Sequence, residues 1–136
     1  MLHRSTVSGL MAGGLSALAA CAATDGRPQA DPSRTPVYLG AAPVGLGADL
    51  YGFAVQMKNP RGAEDIDAYV TCIVAGYALQ KKAGFARKLR TNVTEEGGVW
   101  IADAVYSISS ALPKGLRTID AEVTAADCAE QGIPTA

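Results

Sequence analysis

The chain has 136 residues and a formal net charge of −1, with 49% hydrophobic, 18% charged and 6% aromatic residues. That length and balance suit one small globular domain and exclude a multidomain enzyme. No basic field exists to hold nucleic acid or an anionic membrane surface. The single histidine is His3, so the rest of the chain lacks the commonest general base and a favoured zinc ligand.

The first six residues carry one firm positive charge, Arg4, and residues 7–20 run uncharged through Leu10, Met11, Leu15 and Leu18. A charged start followed by a short apolar run is signal-peptide architecture. Its 14 residues fall short of the roughly 20 that a helix needs to cross a hydrocarbon core of about 30 Å. The run ends Leu18-Ala19-Ala20-Cys21, which resembles the lipobox of bacterial lipoprotein precursors at all four positions. The resemblance implies that cleavage falls between Ala20 and Cys21 and that Cys21 takes a diacylglyceryl group as the mature first residue. Two or three acyl chains at one site anchor stably where one is marginal. The body is then water-soluble yet held to a membrane through lipid on Cys21. Ala22, in place of an Asp, favours by the same resemblance the outer membrane, facing the periplasm. Without residues 1–20 the chain keeps 11 basic and 13 acidic residues, a net charge of −2.

Residues 21–47 hold Pro28, Pro32, Pro36 and Pro43 with Gly26, Gly40, Gly45 and Gly47, which reads as a tether. Within it, Val37-Tyr38-Leu39 is a candidate edge strand. Residues 48–136 form the expected domain. Tyr51, Phe53, Val55 and Met57 alternate with Gly52, Ala54 and Gln56, predicting a strand. Asn59-Pro60-Arg61-Gly62 breaks it, and Ile66, Tyr69, Val70, Ile73 and Tyr77 then mark one face of a helix over residues 64–83. Glu64, Asp65 and Asp67 open this helix, Lys81 and Lys82 end it, and Gly84 supplies a stop.

Residues 85–94 and 99–108 read as a hairpin around Glu95-Glu96-Gly97-Gly98. Pairing Thr94 with Val99 sets Leu89 opposite Ala104 and Phe85 opposite Ile108, and places Arg90 across from Asp103 on the other face. After Pro113-Lys114-Gly115, residues 117–123 alternate as a fourth strand. Thr124 and Asp127 resemble a capping box opening a short helix that Gly132 and Pro134 close. The expected fold is α+β: a two-layer sandwich with one long helix on a mainly antiparallel four-stranded sheet, in the order β-α-β-β-β-short α.

With Cys21 lipidated, Cys72 and Cys128 remain as two thiols in an oxidising compartment, and a disulfide is the simplest reading. Cys72 sits beside the sheet-facing stripe, where the terminal helix could cover it. Neither a C-x-x-C spacing nor a further cysteine favours redox or metal chemistry.

Sites for chemistry are scarce. Ser107, Ser109 and Ser110 have no His or free Cys to activate them, and Lys114 in a turn is a solvated lysine. Asp103, Asp120 and Glu122 share one predicted sheet face, where a glycosidase would need two acids at fixed separation, but Lys88 and Arg90 offset them as on a solvated face. No phosphate-binding glycine loop is present, so neither a nucleotide nor another cofactor is expected. On that same face Val99, Ile101 and Val105 lie among Lys88, Arg90, Asp103 and Glu122. Apolar residues ringed by charge mark a protein-binding patch, unless the segment around Val37 to Leu39 covers it.

The segments A-Y-V-T-C-I-V-A-G-Y-A-L (68–79) and D-C-A-E-Q-G-I-P (127–134) resemble small uncharacterised bacterial envelope lipoproteins. The element order is similar to the sensor lipoproteins of the Rcs stress pathway, without their four-cysteine arrangement. The expected function is a non-enzymatic envelope lipoprotein that binds another envelope protein or supports surface integrity. A stress-sensing module acting through a partner and a carboxylate-dependent periplasmic hydrolase are the alternatives.

Overall fold

Alternating apolar residues build a sheet and a three-to-four spacing builds the helix that covers it, in a computed structural model that describes residues 30–115 and 117–136. The signal segment, Cys21 and the first part of the tether lie outside the described residues. The elements are β1 (Val37–Gly47), β2 (Leu50–Lys58), α1 (Ala63–Gln80), β3 (Phe85–Glu96), β4 (Val99–Ser109), β5 (Thr118–Asp120) and α2 (Ala121–Gln131). All strand pairings are antiparallel, in the order β1-β2-β4-β3-β5. The α+β class holds, but the sheet has five strands, not four.

The additional strand is β1, which takes up residues 37–47 of the segment read as tether. It lies on the edge of the sheet, where Pro43 and three glycines are tolerated as they would not be in the middle. Tyr38 faces inward and meets Tyr69 of α1 edge to face, with ring centroids 4.7 Å apart. Val37 and Leu39 therefore extend the sheet sideways; they do not lie across its face.

The core lies between α1 and the sheet. Phe53, Val55 and Met57 of β2 and Ala102, Ala104, Tyr106 and Ile108 of β4 meet Ile66, Tyr69, Val70, Ile73 and Val74 of α1. Burying each large aliphatic or aromatic side chain is worth roughly 1.5–3 kcal/mol. α1 is buried on more than its sheet-facing stripe, because α2 packs beside it and Gly76 receives the chain end. A Cβ on Gly76 would come within 2.7 Å of the Ala136 nitrogen and 2.8 Å of Thr135 Cβ, so only a glycine admits this approach.

The termini of α1 follow local chemistry. Asn59 takes φ 53° to turn the chain, and its amide donates to the Thr35 carbonyl. Asp65 Oδ2 accepts from the Arg61 backbone N–H and from Nε, while Oδ1 accepts from Nη2. This hydrogen-bonded guanidinium holds the Asp65 carboxyl below the usual carboxylate range. At the other end the left-handed residue is Lys82 (φ 57°), not Gly84. The helix ends before Lys81, whose ammonium stands over the Tyr77 ring.

Two corrections concern the second half. The hairpin turn is the pair Gly97-Gly98, both at positive φ, the geometry that two-residue hairpin loops require. Glu96 consequently pairs with Val99, and Thr94 with Ile101, a register displaced by two from the expected one. Beyond it a bulge between Lys88 and Arg90 displaces the pairing again, so that Lys88 opposes Tyr106. The fourth expected strand shortens to Thr118–Asp120, because Asp120 Oδ1 accepts from the backbone N–H groups of Glu122 and Val123 and caps α2 there. An Asp cap four residues earlier wins over the Thr124 box. Gly132 ends α2 in the left-handed conformation, as expected.

Candidate functional site

One face of the sheet has no helix on it. Since Tyr51, Phe53, Val55 and Met57 point toward α1, the intervening Leu50, Gly52, Ala54 and Gln56 point away, opposite Ser107, Val105, Asp103 and Ile101 of β4. β1 extends this surface with Ala42 opposite Ala54 and Val44 opposite Gly52. Gly52 makes a shallow floor: a Cβ there would approach Val44 Cγ1 at 3.1 Å and Leu46 Cδ1 at 3.5 Å. Val44 and Leu46 remain about half exposed, whereas Val105 is only 8% exposed.

An exposed ion pair lies within this face, between β4 and β3. Arg90 Nη1 donates to Asp103 Oδ2 at 2.9 Å, with both side chains at least half exposed. The contact is diagonal, since Arg90 opposes Val105 and Asn92 opposes Asp103. Of the seven residues expected on a partner face, Arg90, Val99, Ile101, Asp103 and Val105 share this surface. Lys88 and Glu122 do not. The bulge turns Lys88 to the helix side, where its ammonium pairs with Asp67 of α1, and Glu122 stands in the first turn of α2. Asp103, Asp120 and Glu122 are thus spread over a strand, a cap and a helix, and do not form an acid pair on one face.

Sequence reasoning missed Val44, Leu46 and Leu50 on this surface. Their signal was the Val44–Leu46 spacing opposite Gly52, hidden within a proline- and glycine-rich stretch.

Cys72 and Cys128 are joined, with Sγ–Sγ 2.02 Å and Cα–Cα 5.9 Å, linking α1 to α2 across 56 residues of sequence. Both are 3% exposed, so the bond is an internal clamp. Among the described residues, no three His, Cys, Asp or Glu side chains gather as a metal site, and no helix is long and apolar enough to cross a membrane.

A family model described as the YNQ4 C-terminal domain matches residues 38–132, from the start of β1 to the end of α2. A protein of Paracoccus denitrificans, named as an uncharacterized 26.9 kDa protein in the nqo8 5'region, is 36% identical over 81 residues. Those residues are 57% of this chain and 32% of that protein, so the match spans about a third of the relative's length. No solved structure matches.

Proposed function

The chain belongs to the YNQ4 C-terminal domain family, and from that premise we propose that it is a lipid-anchored protein of the bacterial envelope whose domain is a non-enzymatic binding module. The observation that carries this reading is the bare sheet face. Val44, Leu46, Leu50 and Ile101 stand on an antiparallel scaffold among the exposed charges of Lys58, Arg90 and Asp103. Apolar side chains set among charges on an uncovered sheet face suit a protein partner.

The address rests on the lipobox at Leu18 to Cys21, with the Cys72–Cys128 bond as support, since structural disulfides persist in oxidising compartments. The anchor is assigned to the outer membrane, with the domain in the periplasm. Residues 22–36 separate Cys21 from β1. From Asp31 to Thr35 that stretch is tied to the β2–α1 connection, the Asp31 N–H donating to the Arg61 carbonyl and the Asn59 amide to that of Thr35.

Labelling with radioactive palmitate, compared with a Cys21→Ala variant, tests the anchor: label in the parent alone supports it, and unlabelled parent protein refutes it. Photocrosslinking from position 101 in intact cells tests the binding module. A reproducible protein adduct at 101, absent from an equivalent probe at the α2 position Glu130, is the expected result.

A further inference from the structure

A second feature lies on the opposite side of the sheet. Between the first half of α1 and β3 opens a cleft of about 580 Å³, within the range of small-molecule sites. Ala63, Asp67 and Thr71 line it from α1 at helical spacing, Lys88 and Thr91 from β3, and Tyr106 from β4. The β3 bulge creates this arrangement by placing Lys88 and Thr91 on the same face around the displaced Leu89 and Arg90.

Three hydroxyls here, those of Tyr106, Thr91 and Thr118, have no partner among the described residues. Tyr106 is 1% exposed, and its phenolic oxygen makes no hydrogen bond among the described residues; the same holds for buried Thr91 Oγ1. Thr71 Oγ1 is already engaged, donating to the Asp67 carbonyl. Buried polar atoms are nearly always paired, and three orphans at one opening mark a place where something accepts from them. The charges narrow the choice. Lys88 and Arg117 bring two cations, while among the described residues Asp67 is the sole carboxylate lining the cleft and is paired with Lys88. One positive charge is therefore in excess. Val93, 41% exposed, and Ile119 add an apolar wall.

We propose that the cleft between α1 and β3 binds a small organic monocarboxylate, its oxygens accepting from Tyr106 Oη, Thr91 Oγ1 and the Lys88–Arg117 cations and its apolar body resting on Val93 and Ile119. A monoanion balances the single surplus charge, which a phosphate dianion would exceed. The site is independent of the lipid anchor and of the bare sheet face.

The test titrates the full chain with hexanoate and with benzoate while following backbone amides by NMR, with hexanol and inorganic phosphate as comparison probes. Saturable shifts at Lys88, Thr91 and Tyr106 with either carboxylate are expected. Removing a hydrogen bond to a charged group should weaken binding about tenfold or more in Tyr106→Phe, with a similar loss in Lys88→Met and the remaining spectrum unchanged. Absence of saturable shifts with both acids up to about 10 mM overturns the proposal. So does binding of hexanol or phosphate as tightly as the acids, or undiminished binding by both variants.

Discussion

Lys88 and Arg90 stand two positions apart in one strand and yet lie on opposite faces of the sheet, Lys88 paired with Asp67 beneath α1 and Arg90 with Asp103 on the bare side. The extra residue between them makes this possible, because the pairing slips from Lys88–Tyr106 to Arg90–Val105. A single strand thereby serves two surfaces. Deleting Leu89, which has no partner in β4, leaves Lys88 opposite Tyr106 and Arg90 opposite Val105, so both halves of β3 keep their faces. Urea denaturation should therefore show a loss of less than about 1 kcal/mol; a loss of about 3 kcal/mol or more would mean that the extra residue itself holds the strand in place.

The Arg90–Asp103 pair is solvent-screened, and Arg90→Ala should cost less than about 1 kcal/mol. Ile101→Glu, on the uncovered surface, should likewise leave Tm within a few degrees while abolishing the crosslink from a neighbouring probe at position 99. A large drop in Tm would show instead that Ile101 is a packing residue.

Removing the clamp between α1 and α2 has a larger effect. In the loop-entropy account, a bond spanning 56 residues stabilises by up to roughly 4 kcal/mol. The double variant Cys72→Ala/Cys128→Ala should lose about 2–4 kcal/mol in denaturant unfolding. Reduction of the parent with a thiol should reproduce that loss, and a resistant midpoint would contradict it.

Gly76→Val has no room. The chain end at Thr135 and Ala136 must leave the helix, exposing Tyr38 and Ile73, which share that neighbourhood. The expected result is a loss of about 1–3 kcal/mol, with new protease sensitivity near residue 134.

Tyr106 makes stability depend on alkaline pH. Burial pushes its phenol from the ordinary 10.0 up to about 12, slightly opposed by the adjacent Thr71 hydroxyl. The folded state retains the proton that the unfolded chain loses. Its contribution is therefore intact below pH 10.0 and is lost as pH rises through about 12 at up to about 1.4 kcal/mol per pH unit. Tyr106→Phe should flatten that decline, leaving the smaller slope due to Tyr38 and Tyr69, whose phenols burial also raises. At pH 7 the variant should be no less stable than the parent, because it sheds an unpaired hydroxyl. Pairs of pH-dependent urea curves measure both effects.

The helix, the central strands and the hairpin were legible because each has a clean period: Ile66 to Ile73 at three and four, Tyr51 to Met57 at two. What escaped had competing local chemistry. Pro43 and the glycines of β1 conform to a tether as well as to an edge strand, and only pairing with β2 separates the two. The β3 bulge leaves no mark on the alternation of apolar residues, so Lys88 could not be placed on its true face. Asp120 reads as a strand residue until its carboxylate is seen accepting from two amides of α2. The cleft is assembled from three separate elements, and no single stretch of sequence announces it.

The two rims of the sheet differ as templates for a further strand. One carries Pro43, which lacks a main-chain donor. On the other, β5 covers only Phe85 to Arg87, so Arg90 to Glu96 of β3 keep an unpaired edge beyond the bulge. Backbone annealing by another chain therefore finds its better template in that short stretch, bounded by the Gly97-Gly98 turn, than in the proline-bearing strand.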